Sequence, residues 1–176
     1  MSTTEPWRNP RPAPNLEEVR QRVPPKDMIA AWLRSWWPAL LWAGVIFVLS
    51  TDAFSWEQTG RFIDPILRWL FPSAPAEGIY LLHHLIRKTA HFVEYFIFFV
   101  FIYRGIHRSR PGWHWTWALG AWLIAAVYSW LDEFHQVFVP SRGPSAWDSL
   151  LDSSGALVAL LTLFFLYRRF QRARAS

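Results

Sequence analysis

The sequence contains no cysteine, and charged residues make up only 18% of its 176 residues. The absence of thiols excludes disulfide frameworks, cysteine nucleophiles, and zinc or iron–sulfur sites with cysteine ligands. Soluble domains carry roughly 25% charged residues, so this chain is depleted in the groups that keep a protein surface hydrated. The composition therefore argues against a water-soluble enzyme.

Hydrophobic residues are abundant instead. They make up 52% of the chain, in which 13 Trp stand beside 14 Phe and 5 Tyr. Four apolar segments concentrate them, at residues 36–50, 89–103, 115–130 and 153–167. Each segment reaches the length needed to cross a hydrocarbon layer of about 30 Å when its flanking polar turns are included. The first helix has room to begin as early as Met28, and the fourth is expected to begin near Ala146. The alternative is a soluble bundle of four buried helices.

The segments predict an all-α, polytopic membrane protein, with a bundle of four transmembrane helices in residues 28–170. Residues 1–27 are rich in proline and predict a disordered cytoplasmic tail, and residues 171–176 form a short basic tail. With both termini in the cytoplasm, 13 of the 18 Lys and Arg residues lie inside and 5 lie outside. This asymmetry follows the positive-inside rule and predicts a multi-pass protein of the plasma or inner membrane. Because the basic residues flank apolar runs, no nucleic-acid partner is predicted.

The loop after the first segment contains a predicted amphipathic helix. Asp64 followed by Pro65 is typical of an N-cap and a first helical residue. Apolar residues then recur at helical spacing up to Phe71, and Pro72 follows. We expect this short helix to lie on the outer membrane surface. A lid packed over the bundle is the alternative.

Ionisable residues lie at the outer ends of the predicted helices. Lys88 is expected to open the second helix, Asp132 and Glu133 close the third, and Asp148 opens the fourth. Alternating topology places all these ends on one side of the membrane, where buried charges normally pair or face a wet cavity. The residues assigned to catalysis are His91, Asp132 and Glu133. The residues assigned to substrate binding are Lys88, Tyr95, Gln136, Arg142, Asp148 and Asp152.

The predicted site binds a phosphate-like anion through Lys88 and Arg142. Asp132 and Glu133 share a proton, and His91 is the second proton-transfer group. The side-chain heads of six residues are expected to surround one outward-facing cavity, namely Lys88, His91, Asp132, Glu133, Arg142 and Asp152. The alternative is a non-catalytic scaffold in which the same charges clamp three helices together. A transporter is the third interpretation.

Two other chemistries are not predicted. His91, Asp132, Glu133 and His135 have suitable metal-binding groups, but their spacing matches no HExxH or comparable motif, so no metal or other cofactor is expected. The sequence also lacks the GxSxG motif of a serine hydrolase.

The segments RKTAHFVEY, from Arg87 to Tyr95, and LDEFHQVFVPSRGPSAWDSLLDSSGALVALL, from Leu131 to Leu161, resemble the VanZ-like membrane protein family. The resemblance covers roughly residues 38–167. It implies a role in the cell envelope. Together with the predicted polar site, this role leads us to expect a membrane lipid or a lipid-linked cell-wall precursor as the ligand, with membrane-protein partners a further expectation. The founding member is linked with low-level resistance to teicoplanin, which acts on cell-wall precursors outside the membrane. The resemblance implies no particular reaction.

Overall fold

The computed structural model describes residues 25–108, 110–139, 143 and 145–175. Their elements are the helices α1 (Pro25–Leu49), α2 (Trp56–Leu70), α3 (Ala76–His107), α4 (Trp115–Gln136) and α5 (Ala146–Ala175), with a 3-10 turn at Asp52–Phe54. The predicted all-α class is confirmed for this part of the chain, and α5 begins at the predicted residue. The proline-rich segment 1–24, which was predicted to be a tail, lies outside the described residues.

Contacts divide the chain into one unit that ends at Arg34 and a second unit from Ser35 to Ser176. In the first unit, the described residues are those of α1 up to Arg34. The hydrophobic core belongs entirely to the second unit.

Helix α3 is the central element, since it packs against α5, α4 and α2. Its large buried side chains are Tyr95, Phe98, Phe99 and Ile102. They meet buried alanines of the neighbouring helices, namely Ala118, Ala121 and Ala125 of α4 and Ala156 and Ala159 of α5. Gly155 of α5 lies directly against the backbone of Phe92, where an added Cβ would overlap the Phe92 carbonyl group. Small residues therefore allow the helix backbones to approach closely.

Helix α1 is joined to the bundle by side-chain hydrogen bonds to backbone carbonyls. The indole of Trp42 donates to the carbonyl oxygen of Glu94 at 2.9 Å. The phenol of Tyr128 donates to the carbonyl oxygen of Ala43 at 2.7 Å. Each bond gives a partner to the polar atom of an aromatic side chain whose ring packs against the apolar core.

Two predicted helix starts are wrong. Helix α2 begins after the N-cap residue Ser55, so Asp64 and Pro65 lie inside it. Pro65 costs one backbone hydrogen bond there, and the helix continues through it while packed on α3. Helix α3 begins at Ala76, so Lys88 lies in its interior. The apolar run starting at residue 89 marks only the apolar part of a helix whose first turns are polar on one side.

The outer surface of the bundle is unusually apolar. On α4 the large side chains Leu119, Leu123 and Val127 are exposed, whereas Ala121 and Ala125 are fully buried. Small residues inside and large apolar residues outside are typical of helices packed in lipid. Among the described residues, two helices are long and apolar enough to cross a membrane, over Ile29–Leu49 and Ala146–Arg174.

Candidate functional site

The predicted site residues fall into two groups, of which the first joins the ends of helices. Lys88 of α3 forms an ion pair with Asp148 in the first turn of α5. The Lys88 side chain is 28% exposed and that of Asp148 is 24% exposed, so water reaches the pair. A partly wet pair of this kind fixes the position of two helices at a modest gain in stability.

Glu133 joins the end of α4 to the beginning of α5. Its Oε2 accepts a hydrogen bond from the Ser145 backbone N–H at 2.7 Å. The Gln136 amide donates to Oε1 of Glu133 at 3.3 Å and to Oδ2 of Asp132 at 3.2 Å. Acidic groups at the end of α4 oppose its own dipole, but the start of α5 provides a partial positive charge and an N–H without an intrahelical partner. This geometry explains the adjacent acids without requiring catalysis.

The second group lies deeper in the bundle, around Asp152. Asp152 is fully buried, and its Oδ2 accepts a hydrogen bond from the Ser129 hydroxyl at 3.1 Å. Its Oδ1 lies 3.6 Å from Nδ1 of His91, a separation typical of an ion pair and too long for a hydrogen bond. Tyr95, one turn after His91 on α3, is also fully buried. Asp152 thus orients a histidine that faces a cavity.

That cavity has a volume of about 160 Å³ and lies where α1 and α4 end. Its apolar walls come mainly from α1, α2 and α3 and include Ile46, Leu49, Ile63 and Ile86. Its polar and ionisable side chains include Thr59, His83, Arg87, His91, Glu94 and Asp132. Of the residues that the sequence assigned to one shared cavity, His91 and Asp132 line it. Lys88, Glu133 and Asp152 instead make the contacts described above.

Helix α2 contributes to the cavity through its contacts with His83, which is 1% exposed. Nδ1 of His83 lies 2.9 Å from Oδ1 of Asp64, and its Nε2 lies 3.4 Å from the Thr59 hydroxyl. The indole of Trp56 stacks on the imidazole with 4.0 Å between ring centroids. Through these contacts of Trp56, Thr59 and Asp64 with His83, helix α2 is held over the cavity.

Arg87 is the cationic side chain of the cavity that the sequence analysis missed. Its guanidinium donates to the carbonyl oxygen of Phe54 at 3.3 Å and interacts electrostatically with Glu94. His83, Arg87 and His91 recur at intervals of four and therefore share one face of α3. That spacing is visible in HHLIRKTAH, but it was overlooked because the helix was predicted to begin only after Arg87.

Arg142, the other predicted anion-binding residue, lies outside the described residues. Among the described residues, no group of three or more His, Asp or Glu side chains is arranged to hold a metal ion.

A family model described as VanZ/LLP1 matches residues 35–167, about three quarters of the chain. No curated protein and no solved structure matches.

Proposed function

This chain belongs to the VanZ/LLP1 family, and from that premise we propose that it is a multi-pass cell-envelope protein that binds the polar head group of a membrane lipid or lipid-linked envelope precursor. The proposed binding site is the cavity beneath α2. The observation that carries this proposal is a small cavity with apolar walls and charged groups of both signs, placed at one end of a lipophilic bundle.

Family membership and two apolar helices indicate a membrane protein. In the proposed topology α1, α3, α4 and α5 all cross the membrane, and both termini are cytoplasmic. The uneven distribution of Lys and Arg between the two sides supports this orientation. In this topology, the end of the bundle that contains the cavity faces the extracytoplasmic side of the membrane.

Helix α2 is proposed to lie at the outer membrane surface. Phe62 is 75% exposed and Trp69 is 80% exposed, and both lie on the side of α2 away from the buried Leu67. Arg61 and Arg68 are exposed on the same helix. An apolar face beside arginines suits the boundary between acyl chains and phosphate groups.

The size of the cavity supports a head group as its occupant. Pockets for whole drug-sized molecules start at about 300 Å³, whereas this cavity measures about 160 Å³. Acyl chains therefore have to remain outside, against the apolar helix surfaces. Arg87 lines the cavity, and its guanidinium is proposed to bind the phosphate of the head group.

Native mass spectrometry of the purified protein tests this proposal by identifying retained lipids. The wild-type protein is expected to retain phospholipid, and Arg87→Gln is expected to lose most of it. Arg169→Gln removes an exposed arginine near the end of α5 that does not line the cavity, so this control should retain lipid as the wild type does. Equal retention by both variants would contradict binding in the cavity.

A second function, a scaffold clamp, is favoured by the contacts of Glu133 and Lys88. Glu133→Ala leaves the Ser145 N–H without its acceptor, at a cost of about 1–3 kcal/mol in the free energy of unfolding. The clamp interpretation expects lower thermal stability with lipid retention unchanged. Glu77→Ala, which changes an exposed acid of α3, is the matched control.

The family's link with glycopeptide resistance extends the proposal to lipid-linked cell-wall precursors. Expression of this chain in a teicoplanin-susceptible bacterium is expected to raise the inhibitory concentration of the drug modestly. The Arg87→Gln variant is expected to abolish that increase. An increase of the same size with the variant would separate the resistance from the cavity.

A further inference from the structure

The imidazole of His91 lies between a buried carboxylate and the cavity. Oδ2 of Asp152 accepts the hydroxyl hydrogen bond of Ser129, and Oδ1 lies 3.6 Å from Nδ1 of His91. Among the described residues, neither this Oδ1 nor this Nδ1 has a hydrogen-bond partner. The His91 side chain lines the cavity and is 15% exposed, whereas that of Asp152 is fully buried.

The two ring nitrogens of His91 therefore have different surroundings. A carboxylate beside Nδ1 favours the tautomer that carries its proton on Nδ1, which leaves the lone pair on Nε2. Nε2 makes no hydrogen bond or ion pair with any described residue. The separation of 3.6 Å at Nδ1 is long, as catalytic hydrogen bonds often are before the substrate binds. His91 thus offers an unbonded lone pair to a ligand of the cavity.

The close crossing of α3 and α5 fixes the position of Asp152 against His91. Gly155 lies one turn after Asp152 on α5 and lies directly against the backbone of Phe92, the residue after His91. This contact and the buried alanines already pack the two helices together. A buried ion pair is in itself weak evidence of a role in stability, so the packing does not explain why His91 and Asp152 are paired.

His91 also lies beside the proposed phosphate-binding side chain. Arg87 and His91 are four residues apart on α3, which places their side chains next to each other with about 5–6 Å between Cβ atoms. One N–H of Arg87 donates to the Phe54 carbonyl oxygen, and a guanidinium has five N–H donors in all. A phosphate that binds the other donors of Arg87 therefore lies within reach of the His91 imidazole.

The hydroxyl groups of the cavity are used in other contacts. Ser50 donates to the Phe47 carbonyl oxygen at 2.9 Å, and Thr59 donates to that of Ser55 at 2.9 Å. Among the described residues, neither hydroxyl is hydrogen-bonded to His91. The arrangement therefore lacks the serine–histidine contact of an activated hydroxyl nucleophile and favours direct attack by the imidazole.

We propose that this chain hydrolyses the terminal phosphate of a membrane lipid, with His91 as the nucleophile. The inference rests on the proposed head-group site and adds a reaction to it. In the first step, the lone pair of Nε2 forms a bond to phosphorus, and the bond from phosphorus to the leaving oxygen breaks. The leaving oxygen keeps that electron pair and takes a proton from water, because Asp132 already accepts a hydrogen bond from Gln136.

Water completes the reaction in a second step. Its oxygen attacks phosphorus, the bond between phosphorus and Nε2 breaks, and the electron pair returns to Nε2 while a water proton passes to solvent. The net products are the dephosphorylated lipid and inorganic phosphate. His91 is the catalytic residue in this scheme, and Asp152 is a positioning residue that holds the reactive tautomer.

The test supplies lipids with a radiolabelled terminal phosphate to the full-length protein in detergent. Phosphatidic acid and farnesyl diphosphate distinguish a glycerolipid from an isoprenoid substrate. The wild-type protein is expected to release labelled inorganic phosphate from at least one of them. It is also expected to carry label that is stable in alkali and lost in acid, as in phosphohistidine, and peptide mapping should place this label on His91.

Three variants separate catalysis from structure. His91→Gln is expected to carry no label and to release phosphate at least ~100-fold more slowly, while native mass spectrometry shows unchanged lipid retention. Asp152→Asn is expected to lower kcat at least ~10-fold without a change in KM, because Asp152 does not line the cavity. His114→Gln, at an exposed histidine just before α4 and away from the cavity, is the matched control and should behave as the wild type does.

Chemical rescue gives a readout that a structural role would not produce. Free imidazole is expected to restore part of the phosphate release in His91→Ala without labelling the protein. Label that persists in His91→Gln, or release without label in the wild type, would overturn His91 as the nucleophile. A wild-type protein that retains lipid but releases no phosphate from either substrate would overturn the reaction and leave the proposed function intact. Failure to retain any lipid would overturn the proposed function itself.

Discussion

Replacing Gly155 by alanine is expected to force α3 and α5 apart. The added Cβ would overlap the carbonyl oxygen of Phe92 and lie 3.1 Å from its carbonyl carbon. Both atoms belong to the backbone of α3, so no side-chain rotation relieves the contact. The two helices have to separate at the point where His91 and Asp152 lie opposite each other.

The size of the effect follows from comparison with another helical glycine. Overpacking a tight core costs about 1–3 kcal/mol. A Cβ at Gly120 of α4 would meet nothing within 4 Å, so Gly120→Ala should gain the intrinsic helix preference of about 1 kcal/mol. The two variants should therefore differ by about 2–4 kcal/mol in the free energy of unfolding.

Thermal unfolding in detergent, followed by tryptophan fluorescence, measures this difference. At about 2–4 °C per kcal/mol for a chain of this size, the two midpoints should differ by on the order of 5–15 °C. Lipid retention should fall in Gly155→Ala and persist in Gly120→Ala. If Gly155→Ala unfolds at or above the temperature of Gly120→Ala, the close crossing of α3 and α5 is refuted.

Three further predictions follow from individual contacts and from the proposed topology. Tyr128→Phe removes the hydrogen bond that attaches α1 and should cost about 0.5–1.5 kcal/mol of stability, measured by thermal unfolding; no loss would contradict that bond. A double-mutant cycle on Lys88 and Asp148 should give a coupling energy of about 0.2–1 kcal/mol, because the pair is partly exposed; zero coupling would mean that the pair does not clamp the helices. In intact cells, a cysteine at the exposed Ser73 should react with an impermeant thiol reagent, whereas one at Ser109 should react only after lysis. The chain has no native cysteine to confuse this measurement, and the opposite labelling pattern would invert the topology.

Part of the candidate site was visible in the sequence, because ionisable residues stand out where they adjoin long apolar segments. The sequence predicted that six side chains surround one cavity; of these, His91 and Asp132 line the cavity of the structure, whereas Lys88, Glu133 and Asp152 do not. The functional roles assigned to them stay predictions. Arg87 and His83 were missed because hydropathy marks the apolar part of a helix rather than the hydrogen-bonded helix itself.

Which carboxylate each cationic side chain pairs with could not be predicted from the sequence. Lys88 and His91 lie on one face of α3, yet Lys88 pairs with Asp148 and His91 lies against Asp152. Which carboxylate a cation meets depends on the rotation and axial position of α5 against α3. The contact of Gly155 with the α3 backbone constrains both, and it depends on tertiary packing.

The sequence by itself determined the family, the all-α class and the apolar surface of the helices, since these follow from local composition and from short motifs. Tertiary structure alone decided that α2 covers the cavity and that Glu133 bonds to the start of α5. The physical reason is that a helix period specifies which residues share a face, whereas the partner of that face depends on contacts between residues far apart in the chain. The cavity is formed by such contacts among α1, α2, α3 and α4.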